Sequence, residues 1–66
     1  MTKYYVIKVF NTNTDEMVRI RMTTDKARVR EIVQELKVDH EREHYVVLTC
    51  NLAKMLNIFN RYQLER

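Results

Sequence analysis

The chain has no glycine and no proline among its 66 residues. Walker A loops, dinucleotide-binding fingerprints and the GXXG loops of KH domains need glycine where the backbone approaches a phosphate. The RNP1 motif of RNA-recognition domains also contains glycine. These absences argue against a nucleotide-binding enzyme, or an RNA-binding domain, built on any of those devices.

Serine is also absent, and Cys50 is the only cysteine. A serine nucleophile and a disulfide framework are therefore excluded. A cysteine nucleophile needs an activating base, and none lies close to Cys50 in sequence, so we interpret this residue as a small apolar residue at the end of a strand. An unpaired thiol, no signal peptide and no long apolar run together predict a cytosolic protein outside the membrane.

The composition, 45% hydrophobic and 32% charged, is typical of a globular domain. The length predicts a single domain over residues 1–66, with a small core and marginal stability. A net charge of +3 is compatible with a nucleic-acid partner but does not require one.

The N-terminal third predicts a β-hairpin. Residues 3–10 are rich in β-branched and aromatic side chains, and residues 16–22 alternate between apolar and polar. The polar segment 11–15 predicts a turn in which an asparagine takes the left-handed conformation that glycine usually supplies.

A helix is predicted over residues 25–37, with Thr24 as its N-cap. Residues 44–50 predict a third strand, apolar enough to be central, and Asn51 is expected to cap a final helix. The helical prediction rests on an apolar stripe at i, i+3, i+4 and i+7, formed by Val29, Ile32, Val33 and Leu36.

These elements predict a small α+β domain with the order ββαβα. A three-stranded sheet, made of the N-terminal hairpin plus the third strand, is expected to pack with two helices. The order suggests a β-grasp-like arrangement, in which the third strand lies parallel to the first after a right-handed crossover.

Residues 40–44 match the H-E-x-x-H pattern of zinc proteases, which places two histidines and a glutamate on one face of a helix. His40 and His44 are thus weak candidates for metal ligands. The sequence following them favours a strand and supplies almost no carboxylate as a third ligand, so we interpret the segment as a solvated charged turn. We expect no metal, no cofactor and no catalytic residues.

One face of the hairpin is a candidate binding surface. We expect Tyr5, Ile7 and Val9 of the first strand to face the first helix, together with Val18, Ile20 and Met22 of the second. The opposite face is then expected to combine aromatic side chains with cations. Aromatic and cationic groups together suit a protein interface or single-stranded nucleic acid, and a covering helix would instead make this face part of the core. The residues of this face are Tyr4, Val6, Lys8, Phe10, Arg19 and Arg21.

The final helix has a wide apolar arc, to which Ile58 and Tyr62 add. Such an arc indicates a helix between the sheet and a partner, a homodimer seam, or a helix that simply covers the sheet. The narrower inward set is Leu52, Met55, Leu56 and Phe59.

In length and layout the chain resembles small regulatory proteins of phages and mobile elements, many of which bind and inhibit a host protein. We therefore predict a non-enzymatic interaction module that regulates or inhibits a larger protein, with a homodimer as an option. Nucleic-acid binding through the sheet face is the alternative. The predicted partner-binding residues are Tyr4, Lys8, Phe10, Arg19, Arg21, Ile58 and Tyr62.

Overall fold

A computed structural model describes residues 2–64 of the chain, with side chains over residues 2–60. All five predicted elements form, and the predicted α+β class is confirmed. In chain order the elements are β1 (Tyr4–Asn11), β2 (Met17–Thr23), α1 (Arg28–Leu36), β3 (Glu43–Cys50) and α2 (Leu52–Leu64).

The three strands form one sheet in the order β2-β1-β3, and both strand pairs are antiparallel. The predicted parallel pairing of β3 with β1 is wrong, as is its predicted central position. The cause is that α1 runs along the length of the sheet once. α1 starts beyond Thr23, at the end of the sheet where Thr23 pairs with Tyr5. β3 then begins at the other end, where Glu43 pairs with Asn11. The returning strand therefore runs opposite to β1.

The hairpin turn is held by Asn11. Its Oδ1 accepts the N–H groups of Asn13 (2.9 Å) and Thr14 (3.2 Å), and its own N–H donates to the carbonyl of Glu16 (2.8 Å). Asp15, and not the predicted asparagine, takes the left-handed conformation, with φ at 61°. Aspartate shares asparagine's tolerance of this region, and the asparagine side chain is already used to form the turn.

The core lies between β1 and α1, as the helical stripe predicted. Ile7 and Val9 are fully buried and pack with Ile32 and Leu36. Ile7 and Val9 are two residues apart on β1, so both side chains lie on the α1 side of the sheet. Three partly buried residues complete the cluster: Val29, Val33 and Val38.

The start of α1 differs from the prediction. Thr24 is not the N-cap, because the helix begins at Arg28 and Ala27 occupies the cap position without a side-chain hydrogen bond. Asp25 instead organises a preceding turn: its Oδ1 accepts the N–H of Ala27 at 3.0 Å. Its carbonyl accepts the N–H of Arg28 at 3.0 Å. A short polar side chain that satisfies nearby N–H groups in this way delays the helix by a turn.

α2 lies over the opposite face of the sheet. Val6 points away from α1 because it alternates with Ile7, yet it is fully buried, and α2 contacts β1 and buries Met55. Asn51 caps this helix as predicted, with its Oδ1 accepting the N–H of Lys54 at 2.9 Å. Within residues 2–64, no helix has the length and apolar character that crossing a membrane would require.

Candidate functional site

The predicted basic and aromatic face does not form. Val9 pairs with Arg19 and Ile7 pairs with Arg21, and directly paired residues share a face of the sheet. Both arginines therefore lie on the α1 side, whereas Lys8 and Phe10 lie on the α2 side. The error was to place Val18, Ile20 and Met22 toward α1. The role of the individual residues as partner contacts stays a prediction.

Arg19 is engaged within the chain. Its Nη2 donates to Oε1 of Glu43 at 2.7 Å, which ties β2 to β3 across the end of β1. The same carboxylate oxygen accepts the N–H of Asp39 at 3.1 Å. The backbone N–H of Asp39 and the Arg19 guanidinium hold the pKa of Glu43 below its ordinary value, against partial desolvation, which raises it. Arg19 therefore completes a structural network.

Arg21 also has an intramolecular partner. Its Nη2 donates to Oε1 of Glu35 on α1 at 3.4 Å, and Arg28 contacts the other oxygen of that carboxylate at 3.5 Å. Half-exposed pairs of this kind stabilise a fold only slightly. They do neutralise the positive charge on the β2 side of α1.

The remaining sheet candidates cluster on the α2 side. Phe10 stacks on His44 with ring centroids 5.5 Å apart and an angle of 17° between the planes. His44 Nδ1 in turn lies 3.1 Å from Thr12 Oγ1. Tyr4 and Lys8 are half-buried on the same strand. His44, the second histidine of the H-E-x-x-H match, thus contacts the Phe10 ring and the Thr12 hydroxyl.

The H-E-x-x-H segment is not a helix. His40 lies in a turn with Glu41, whose N–H donates to the Asp39 side chain at 3.2 Å, and His44 lies on β3. The helical spacing that would bring two histidines to one metal is therefore missing. Nowhere in the described residues do three or more histidine, cysteine or carboxylate side chains group as metal ligands would. Cys50 ends β3 and is half-buried, in the position expected for it.

On α2, the predicted contact residue Ile58 is half-buried, and the side chain of Tyr62 lies outside the described residues. Leu52 and Leu56, which belong to the predicted inward set, are about half exposed. This helix therefore covers the sheet without burying its whole apolar arc.

An uncovered apolar surface lies elsewhere, on the α1 side of β3. α1 packs over β1 and β2, so a groove of about 460 Å³ stays open between α1 and β3. The sequence did not predict this groove, because the groove depends on β3 lying at the edge of the sheet, beyond the reach of α1. Its lining is mainly apolar and consists of Tyr5, Val29, Val33, Tyr45, Val47 and Thr49, with Lys26 and Arg30 at the rim.

β3 exposes apolar side chains along its length. Tyr45 is 39% exposed, Val46 38% and Val47 40%. Tyr45 and Val47 lie on the α1 side because they pair with Val9 and Ile7, and Val46 lies on the α2 side beside Lys8. The second edge of this strand pairs with no strand in the part of the chain that the structure describes. The combination of a free edge and an apolar groove is the best candidate for a binding site.

Comparison of the chain with protein-family models, with curated proteins and with solved structures found no match to any of them.

Proposed function

We propose that this chain is a non-catalytic protein-interaction module, a regulator or inhibitor that binds an acidic and apolar segment of a larger protein in the groove between α1 and β3. The observation that carries the proposal is the pairing of an apolar groove with two cations at its rim. Apolar contact would supply most of the affinity, and the cations would supply steering and specificity.

The apolar side chains that line the groove are exposed. Contiguous exposed apolar surface rimmed by polar residues is a common mark of a binding site. Tyr45 and Val47 project into the groove, and Val29 and Val33 of α1 form its opposite wall. The groove is open along the edge of the sheet, which suits the side chains of a bound protein segment.

The cations on the two sides of α1 differ in whether they contact a carboxylate. Arg19, Arg21 and Arg28, on the β2 side of α1, each contact a carboxylate. Over residues 2–60, by contrast, neither Lys26 nor Arg30 has an ion-pair partner. The groove rim therefore carries uncompensated positive charge, which favours a partner segment with acidic side chains.

Two other classes of function have less support. Nucleic-acid binding was based on aromatic and cationic side chains sharing one face, and the strand register separates Arg19 and Arg21 from Phe10. Catalysis needs an activated nucleophile or an acid-base pair, and serine is absent from the sequence. The groove supports neither nucleic-acid binding nor catalysis.

The proposal is tested by selecting binders from a displayed library of random dodecapeptides against the immobilised chain. We expect enrichment of peptides that combine aliphatic with acidic residues. Reversing both rim charges (Lys26→Glu with Arg30→Glu) should weaken the selected peptides about tenfold or more, because attraction becomes repulsion.

The matched control is Lys37→Glu with Lys54→Glu, which changes the net charge equally at two exposed positions outside the groove lining. Binding should change much less in this control. The proposal fails if no peptide is enriched over an empty support, or if both double variants weaken binding equally.

A further inference from the structure

We infer that the bound segment adds to the sheet as a fourth strand, antiparallel to β3, and sends every second side chain into the groove. This inference rests on the proposed function and specifies how the partner binds. It also specifies the partner's chemistry: an extended segment whose groove-facing positions are acidic at one end and aliphatic at the other.

The direction of the β3 backbone groups follows from one hydrogen bond. The N–H of Thr12 donates to the carbonyl of Arg42 at 2.8 Å, just beyond the last β1–β3 pair, Asn11 with Glu43. In an antiparallel ladder, hydrogen-bonded pairs recur at every second residue. Residues 44, 46, 48 and 50 therefore direct their N–H and C=O groups toward β1. Tyr45, Val47 and Thr49 direct theirs to the open edge.

The same three residues line the groove. Backbone groups and groove-facing side chains thus belong to one set of residues, and an added strand would meet both at once. In antiparallel pairing, each residue opposite this set also shares its face of the sheet. Its side chain therefore enters the groove while its N–H and C=O pair with β3, which is how strand addition combines affinity with specificity.

The positions of Lys26 and Arg30 determine which end of the bound segment is acidic. β2 ends at Thr23 beside Tyr5, which also pairs with Thr49. Lys26 is three residues after Thr23 and Arg30 is about one helical turn later, so the cationic rim lies nearer the Thr49 end of the groove. Acidic side chains therefore belong at that end and aliphatic ones near Tyr45. For an antiparallel strand, the acidic residues come first.

A second copy of this chain fits less well. Two β3 strands paired about a two-fold axis would place both α1 helices on the same side of the joined sheet. Because the two β3 strands would be antiparallel, Lys26 and Arg30 of one copy would lie near the Tyr45 end of the other, where the groove lining offers them no carboxylate. An acidic segment supplies the carboxylates that these cations lack.

The test uses a capped heptapeptide, Glu-Thr-Glu-Thr-Val-Thr-Val, and amide hydrogen exchange of the whole chain followed by NMR. Under saturating peptide we expect exchange at the amides of Tyr45, Val47 and Thr49 to slow about tenfold or more. The amides of Val46 and Leu48 already pair with β1, so they should be protected with and without peptide.

Backbone N-methylation of the peptide is the second measurement, since it leaves the protein unchanged. Methylating the second glutamate and the first valine should abolish binding, because their N–H groups face β3. Methylating two threonine amides should be tolerated, because these face solvent.

Three outcomes overturn strand addition: unchanged exchange at the three amides, tolerance of both kinds of methylation, or sensitivity confined to the threonine amides. Protection of the three amides in free protein that grows with protein concentration would assign the edge to a second copy and overturn the acidic partner. If library peptides bind but strand addition fails, the proposed function survives. If no peptide binds at all, the proposed function fails as well.

Discussion

The two edges of the sheet are built differently. β2 contains a bulge, since Val9 pairs with Arg19 but Phe10 pairs with Met17, which leaves Val18 as the extra residue. It also carries two arginines that pair with carboxylates. β3 has eight residues in unbroken register with β1. Natural sheets commonly blunt their edges with bulges and charged side chains. The β2 edge therefore has features that oppose pairing with another strand, whereas the β3 edge lacks the bulge.

The largest effect that we predict is on stability, when proline is introduced at either of two neighbouring positions of β3. Val46→Pro should lower the free energy of unfolding by about 1–3 kcal/mol, because it removes an N–H that pairs with β1 and leaves the acceptor on β1 without a partner. Val47→Pro should cost much less, because its N–H faces the open edge, where proline is tolerated. The two valines are similarly exposed, at 38% and 40%. Urea denaturation followed by circular dichroism measures both.

This proline pair also tests the assigned backbone directions. Equal destabilisation by the two substitutions would contradict the alternation drawn from the Thr12–Arg42 hydrogen bond. Greater damage at Val47 would mean that the open edge belongs to the other set of residues.

The second prediction compares the two edges directly through a matched pair of valines. Val18 and Val47 are each 40% exposed, the first at the bulge of β2 and the second on β3. Val47→Lys should slow heat-induced aggregation several-fold, because a charge on an open, regular edge opposes strand pairing. Val18→Lys should have little effect, because the bulge already opposes pairing there. Light scattering at fixed protein concentration measures both aggregation rates. A larger effect at Val18 would contradict the claim that β3 is the edge more open to strand pairing.

Local patterns in the sequence predicted the elements well. The stripe from Val29 to Leu36 specified which face of α1 is buried, and Asn51 marked the start of α2 through a real side-chain cap. These signals depend on neighbours within one or two turns, so they can be read without knowing the fold. The cap at Thr24 failed because Asp25 organises an alternative turn just as local.

Strand partners and sheet faces depended on non-local facts. Val6, Ile7 and Val9 are all fully buried, so β1 has two covered faces, and its sequence does not say which face α1 occupies. The alternation in β2 was therefore assigned to the wrong side, which put Arg19 and Arg21 on the wrong face. The groove was out of reach for a related reason: it exists only because β3 is an edge strand, and that follows from the path of α1.

The smallest predicted effect concerns the contact that joins the two edges, Arg19 with Glu43. The pKa of Glu43 lies below its ordinary value of 4.5 in the folded chain. A carboxyl with a lowered folded pKa contributes stability above its unfolded pKa, and loses it as the pH falls through the folded pKa. Glu43→Gln should therefore reduce stability at neutral pH and flatten its decline below pH 4.5. Urea midpoints across that range measure the effect, with the more exposed Glu31→Gln as control. An equal loss in both variants would mean that the bridge between β2 and β3 adds no more than a solvated pair on a helix surface, and that each edge of the sheet is stabilised independently.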